Sequence, residues 1–129
     1  MPLKITLKPG ERLILAGAAI TNGKSTSNLL IDNKVPILRQ KDILGEKDAT
    51  SPARRIYFVI QLMYLDTENV NLYEHRYIEF TDDFVKAVRS SAPMINKIRD
   101  HVQKREFYLA LKEAKKLIKY EKTILPGID

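Results

Sequence analysis

Residues 51–66 have the sequence SPARRIYFVIQLMYLD, and their conformation determines the class of the fold. Beyond its two arginines the segment is apolar on nearly every side, which indicates burial. Its Ile, Val, Tyr and Phe content would also suit a strand. Its length favours a helix, as does the Ser51-Pro52 start, which is typical of an N-cap followed by proline at the first helical position. We therefore predict a helix over residues 53–66.

The fifty residues before this segment have the pattern of short strands. Leu3, Ile5 and Leu7 alternate with polar residues, which is the two-residue period of a half-buried strand. Residues 8–11, Lys-Pro-Gly-Glu, predict a turn because proline presets φ and glycine tolerates a positive φ. Residues 22–23, Asn-Gly, are a strong hairpin signal. Five strands are predicted, over residues 3–7, 12–16, 18–21, 29–32 and 35–39.

Three further helices are predicted after residue 66: over residues 71–89, around Ile95 to Val102, and over residues 106–122. A break is predicted at residues 90–93, and Pro126-Gly127 is predicted to end the last helix. The sequence thus predicts an α+β protein: a small antiparallel five-stranded N-terminal sheet followed by about four α-helices. We place the sheet region at residues 1–50 and the helical region at residues 51–129, and we expect them to form one compact unit.

Composition limits the classes of function. The chain has 129 residues, no cysteine, a formal charge of +6 and a pI near 9.5. Without cysteine there is no disulfide, thiolate zinc site or cysteine nucleophile. No apolar run approaches the ~18–20 residues of a membrane span, and no signal peptide is visible. We expect a cytoplasmic protein with no membrane association. The basic pI fits a nucleic-acid binder and an ordinary soluble protein about equally.

No catalytic motif is legible. Residues 23–26, Gly-Lys-Ser-Thr, resemble the end of a phosphate-binding loop, but the position of the motif's first glycine is Ala18 and a strand is predicted to follow. A polar hairpin loop is the better interpretation. His75 and His101 lie on different predicted helices and have no ligand partner at i+3 or i+4. We therefore expect no enzymatic activity, no cofactor and no metal.

One side of the last predicted helix is basic. At 100° per residue, its basic groups fall opposite the apolar side; they are Arg105, Lys112, Lys115, Lys116 and Lys119. Tyr108, Leu109 and Tyr120 border this side. Basic groups flanked by aromatic rings can follow a phosphate backbone and stack on bases. The alternative is a solvated lysine face whose tyrosines pack on a neighbouring helix.

A second basic group lies near the predicted strands, where the turns are flanked by Lys8, Arg12, Arg39 and Lys41. Arg54 and Arg55 fall in the first turn of the first helix, where the helix dipole disfavours cations. This placement indicates either an anionic partner or local ion pairs with Glu46 and Asp48, and the sequence leaves both open.

An ordered set of motifs covers nearly the whole chain. It consists of MPLK at residues 1–4, LKPGER at 7–12, ILRQKDI at 37–43, SPARRIYF at 51–58, MYLD at 63–66, FYLAL at 107–111 and KLIKYE at 116–121. Together they closely resemble the flagellar biosynthesis repressor FlbT family. The resemblance implies a regulator that binds the 5′ untranslated region of flagellin messenger RNA, represses its translation and promotes its decay through a recruited nuclease. In some members of that family the effect on flagellar expression is positive.

The N-terminal region also resembles the carbon storage regulator CsrA family. Residues 8–11, KPGE, are similar to that family's turn after strand one, and residues 35–43, VPILRQKDI, to its last strand. Those are five-stranded RNA-binding proteins that dimerise by interlacing strands. The resemblance implies an RNA surface that includes Lys4, Thr6, Lys8 and Arg39. Leu38 and Gln40 depart from the family's pattern, and the helical region is far longer.

The combined expectation is an RNA-binding regulator. Its candidate RNA-binding residues are Lys4, Thr6, Lys8, Arg12, Arg39, Lys41, Arg54, Arg55, Lys112, Lys116 and Lys119. We expect a homodimer, although helices that cover the sheet would allow a monomer. The alternative is a protein-interaction module acting through a flagellar partner, such as flagellin or a regulator of its secretion. RNA binding predicts a steep salt dependence, whereas a protein partner predicts an apolar patch and a modest salt effect.

Overall fold

The computed structural model describes residues 2–124, so the helix end predicted at Pro126-Gly127 lies outside the described residues. The chain divides into two compact units, Met1–Ile43 and Leu44–Asp129. All five strands belong to the first unit and all four α-helices belong to the second. The predicted α+β class is therefore confirmed.

The strands of the first unit form two antiparallel sheets. β1 (Leu3–Leu7) pairs with β4 (Ser27–Ile31) in one sheet. In the other, β2 (Arg12–Leu15) is central and lies between β3 (Ala18–Thr21) and β5 (Ile37–Arg39). The five predicted strands are thus all present, but in sheets of two and three strands rather than in one sheet. Each strand has a partner in its own chain, so pairing the strands does not require the expected homodimer.

The two sheets share one hydrophobic core. Ile5 and Leu7 of β1 and Leu13 of β2 are buried, and the partly buried residues packed against them are Leu15, Leu29, Ile31 and Ile37. Burying each such side chain contributes roughly 1.5–3 kcal/mol. Because side chains alternate along a strand, burial of Ile5 and Leu7 leaves Thr6 exposed on the other face of β1. The core therefore determines which polar side chains face solvent.

The second unit is built on α1 (Pro52–Leu65), as the sequence predicts. The Ser51 side chain caps the helix, since Oγ accepts a hydrogen bond from the backbone N–H of Arg54 at 3.3 Å, and Pro52 occupies the first turn. Half of the helix is buried, on several sides; the buried residues are Ala53, Ile56, Tyr57, Val59, Ile60, Gln61 and Met63. This burial explains why the segment shows no clear polar face.

Three further α-helices follow α1: α2 (Glu74–Ala87), α3 (Ala92–Gln103) and α4 (Phe107–Ile124). α1 packs against α2 and α4, and α3 packs against α4. The break predicted at residues 90–93 is confirmed by a 3-10 turn, Arg89–Ser91, before α3.

α2 begins three residues later than residue 71, where the sequence predicted it to begin. The intervening chain forms a 3-10 segment, Thr67–Leu72. Asp66 stabilises it by accepting hydrogen bonds from Asn69 Nδ2 and from the Tyr73 hydroxyl, both at 2.9 Å. Within this segment Asn69 has non-helical backbone angles, with φ −117° and ψ 28°, so the α-helical geometry begins only after it. The bond to Asp66 also raises the pKa of Tyr73 above its usual value.

Candidate nucleic-acid interface

The turn after β1 is held by hydrogen bonds at both of its ends. The Glu11 amide donates to the Lys8 carbonyl at 3.0 Å, and the Lys8 amide donates to Glu11 Oε1 at 2.9 Å. Gly10 has a φ of +73°, a conformation that favours glycine, and its amide donates to the Gly23 carbonyl at 3.0 Å. The turn is therefore fixed against the loop that follows β3.

Arg39, the last residue of β5, extends its side chain to β1. Its Nη2 atom donates a hydrogen bond to the Thr6 carbonyl at 2.9 Å and lies 3.8 Å from Glu11 Oε2. The side chain remains 43% exposed, so the guanidinium is oriented by the protein and still accessible to a ligand. Arginine presents several N–H donors in a planar fork, which suits phosphate oxygens and guanine edges.

These elements border an open groove of about 800 Å³. Its lining residues are Thr6, Lys8, Pro9, Gly10, Glu11, Arg39, Gln40 and Lys41. Four of the predicted RNA-binding residues, Thr6, Lys8, Arg39 and Lys41, are thus brought together from both sheets. Three cations face one carboxylate, that of Glu11, so the groove favours an anionic ligand. We call this site the sheet groove.

Two further predicted residues of the first unit do not line the sheet groove. Lys4 lies on β1 opposite Leu30 and is exposed. Arg12 begins β2, and its backbone N–H donates to Gln40 Oε1 at 2.6 Å. This bond fixes the amide side chain of Gln40 in the groove lining, while the guanidinium of Arg12 is not part of the lining.

Two polar residues of the sheet groove were not predicted from the sequence. Glu11 closes the turn and faces Arg39, and Gln40 joins the lining from the 3-10 turn after β5. The spacing of Lys8 and Glu11 across a Pro-Gly turn was a usable signal for the first. Nothing in the local pattern marks Gln40 except its position next to Arg39.

In the second unit, Arg54 and Arg55 lie in the first turn of α1, as predicted. Arg55 is exposed and forms no ion pair with Glu46 or Asp48 among residues 2–124. The local ion pair that the sequence allowed for Arg55 is therefore absent, and the alternative of an anionic partner remains for this residue.

The basic side of α4 faces solvent, as its periodicity predicts. Lys112, Lys116 and Lys119 are exposed, whereas Phe107, Leu111 and Ala114 on the opposite side are buried. Arg105 precedes the helix with a φ of +60°, and its guanidinium lies 5.7 Å from the ring centre of Phe107.

Several groups on this basic side have partners within the protein. Lys112 Nζ lies 5.3 Å from the ring centre of Tyr108, and Lys116 Nζ lies 3.3 Å from Glu113 Oε1. The Tyr108 ring in turn contacts Tyr64, with centroids 5.9 Å apart. Exposed pairs of this kind are weak, so the lysines can still attract phosphates. Tyr108 packs on a neighbouring helix, as the alternative interpretation expected.

Residues 2–124 contain no group of three or more His, Asp or Glu side chains placed to hold a metal ion. Every helix within residues 2–124 is too short or too polar to span a bilayer.

The fold and the sheet groove define a class: a small α+β protein with a cationic groove suited to a phosphate-bearing ligand. The family model described as "Flagellar protein FlbT" matches residues 3–125. The chain therefore belongs to the FlbT family.

Several relatives align over nearly the whole chain. A "Probable flagellum biosynthesis repressor protein FlbT" of Caulobacter sp. (strain K31) is 44% identical over 126 residues, or 94% of each chain. The "Flagellum biosynthesis repressor protein FlbT" of Caulobacter vibrioides (strain ATCC 19089 / CIP 103742 / CB 15) is 40% identical, covering 94% of this chain and 87% of the relative. A relative from Rhodopseudomonas palustris (strain TIE-1) is 38% identical, covering 97% and 98%. No solved structure matches.

Proposed function

We propose that this chain regulates flagellum synthesis after transcription by binding the 5′ untranslated region of flagellin messenger RNA. In this proposal, binding represses translation, and a recruited nuclease degrades the message, so the chain itself performs no catalysis. The protein would act in the cytoplasm. The names of the relatives support a repressor of flagellum biosynthesis. The observation that carries the RNA proposal is the sheet groove.

The chemistry of the sheet groove fits a single RNA strand. Lys8 and Lys41 provide mobile positive charges for phosphates, while Arg39 is held in place by the Thr6 carbonyl. Phosphate contacts supply affinity that falls steeply with salt, and contacts with base edges supply specificity. We therefore assign discrimination between RNAs to Arg39 and sequence-independent affinity to the lysines, including those of α4.

Titrations of the full chain against a flagellin leader and a scrambled leader, at two salt concentrations, test the proposal. Arg39→Ala should lower affinity for the leader by about 1–3 kcal/mol and reduce its preference over the scrambled RNA. Lys34→Ala is the control, because Lys34 is exposed on the same unit, is not among the predicted RNA-binding residues and does not line the groove. Lys116→Ala and Lys119→Ala should weaken both RNAs alike and flatten the salt slope by about one unit per lost phosphate contact.

Two results would contradict parts of this proposal. If the Arg39→Ala variant binds each of the two RNAs as tightly as the parent does, the sheet groove is not the RNA site. A parent protein with no salt-dependent RNA binding would favour the alternative, a module that acts through a flagellar protein partner. We also propose a homodimer, which light scattering would contradict if it showed only the 14.8 kDa monomer at micromolar concentration.

A further inference from the structure

A groove in the second unit lies between α1 and α2, and we call it the helix groove. Two cavities of about 560 Å³ and about 280 Å³ meet there, and both include Arg55 and Phe80 in their linings. The other apolar lining residues include Phe58, Val59, Leu62, Leu72 and Phe84. Leu72 is 67% exposed, and Phe58 and Leu62 are only half-buried. Apolar side chains that remain exposed along a groove offer contacts to the apolar side of a partner.

The two helices run antiparallel along the helix groove. The larger cavity contains Leu62 near the end of α1 and Leu72 just before α2, whereas the smaller contains Pro52 at the start of α1 and Ala87 at the end of α2. The groove thus extends along α1 from Pro52 to Leu62, about 15 Å at 1.5 Å per residue. This length matches about three turns of a bound α-helix.

Charge restricts the kind of ligand that fits. Arg55 on α1 and Arg76 on α2 line the larger cavity, and neither forms an ion pair within the part of the chain that the structure describes. Glu46 also lines the larger cavity, and Asp83 lines the smaller one. The N-terminus of α1 adds positive potential beside Arg55. The larger cavity therefore combines an apolar floor with a net positive charge.

We propose that the helix groove binds an acidic amphipathic α-helix of a partner protein. Apolar side chains of the partner, spaced i, i+4 and i+7, would enter between Phe58, Leu62 and Leu72. Its carboxylates would pair with Arg55 and Arg76, whose forked guanidinium groups suit bidentate contacts. Helix-in-groove recognition of this form is a recurrent mode of peptide binding. The assignment is independent of RNA binding at the sheet groove, because the two grooves share no lining residue.

Fluorescence anisotropy on the full chain tests the assignment with a dye-labelled synthetic helix of about 15 residues. The peptide carries Leu at i, i+4 and i+7 and Glu beside them, and its matched control carries Lys in place of each Glu. The acidic peptide should bind about tenfold more tightly than the lysine peptide. Arg55→Glu and Arg76→Glu should each reverse this preference. Lys97→Glu, on the exposed side of α3, should preserve it.

Both charge-reversal variants should fold. A glutamate at residue 55 is favourable at the positive end of α1, and residue 76 is exposed, so circular dichroism should show both variants folded. Equal binding of the two peptides, or parent-like affinity of the Arg55→Glu variant for the acidic peptide, would overturn the proposal. Displacement of the peptide by oligouridine would assign the groove to RNA instead. A dimer that Leu72→Ser converts to monomer would assign it to a second copy of this chain.

Discussion

Glu121 of α4 accepts a hydrogen bond through Oε2 from the backbone N–H of Ala53, in the first turn of α1, at 2.8 Å. The two residues are 68 positions apart in the sequence, and Glu121 is only 2% exposed. A carboxylate at a helix N-terminus satisfies an otherwise unpaired amide and interacts favourably with the helix dipole. This contact therefore joins the last helix to the start of the central one.

We predict that Glu121→Ala lowers the free energy of unfolding by about 2–3 kcal/mol, because it leaves the buried amide of Ala53 unpaired. Glu121→Gln retains an acceptor and should cost about 1 kcal/mol through loss of the charge. Urea denaturation measures both changes. Asp100→Asn is the control, since its pair with Lys104 is exposed and should change stability by less than about 0.5 kcal/mol. If the Glu121→Ala variant is as stable as the parent, the hydrogen bond contributes nothing to the free energy of unfolding.

A second prediction concerns the segment that precedes α1. The side-chain amide of Gln61 accepts from the Leu44 N–H at 2.9 Å and donates to the Leu44 carbonyl at 2.8 Å. Gln61 is buried, so Gln61→Leu should leave both backbone groups unpaired and lower stability by about 2 kcal/mol. Amide hydrogen exchange should also accelerate at Leu44. Exchange that remains as slow as in the parent would contradict the prediction.

A third prediction concerns Tyr77, whose buried hydroxyl has no hydrogen-bond partner among the described residues. Tyr77→Phe removes this unsatisfied group and should leave stability at pH 7 unchanged or raised by up to about 1 kcal/mol. Tyr108→Phe, on an exposed ring, controls for the loss of a hydroxyl. If the free energy of unfolding falls by more than about 1 kcal/mol, the Tyr77 hydroxyl has a hydrogen-bond partner in solution.

The same side chain predicts a pH dependence of stability. Burial raises the pKa of Tyr77 from 10.0 to about 12, and the nearby Arg99 guanidinium acts in the opposite direction. The pKa of Tyr77 is higher in the folded state than in the unfolded state. The neutral hydroxyl's contribution to the free energy of unfolding is therefore complete below pH 10 and is lost as pH rises towards 12. Urea midpoints between pH 9 and pH 12 should therefore fall less steeply for Tyr77→Phe than for the parent. Parallel curves would refute the assignment.

The local patterns of the sequence predicted the elements better than their assembly. Alternation in β1 and the Ser51-Pro52 cap are local signals, and both elements form where they were expected. The division of the strands into two sheets depends on long-range pairs such as Leu3 with Ile31, which no local window contains. Nor does helical periodicity reveal the 3-10 segment before α2, in which Asn69 leaves helical geometry and Asp66 bonds to two side chains.

Only some residues of the sheet groove could be predicted from the sequence, because the groove also depends on long-range pairing. Its cations come from a turn and a strand end that are distant in sequence, and the resemblance to an RNA-binding family brought Lys8 and Arg39 together. Helical periodicity placed the lysines of α4 on one side, because that rule needs only one helix. The position of Glu11 beside Arg39 depends on the pairing of β2 with β5, which places Arg39 opposite Leu13, two residues after Glu11. Neither segment alone contains this information.

The last prediction tests whether Glu11 positions Arg39 for RNA discrimination. Glu11→Gln keeps an acceptor for the Lys8 amide but removes the charge that lies 3.8 Å from Arg39 Nη2. Loss of this carboxylate makes the sheet groove more positive, so affinity for leader and scrambled RNA should both rise a few-fold, with a steeper salt slope. Arg39 is then less restrained, and the ratio of the two affinities should fall. When Arg39→Ala is already present, adding Glu11→Gln should not change that ratio further, because the two residues act through one contact. If Glu11→Gln raises affinity with the ratio intact, Glu11 contributes only charge, and the Thr6 carbonyl alone orients Arg39.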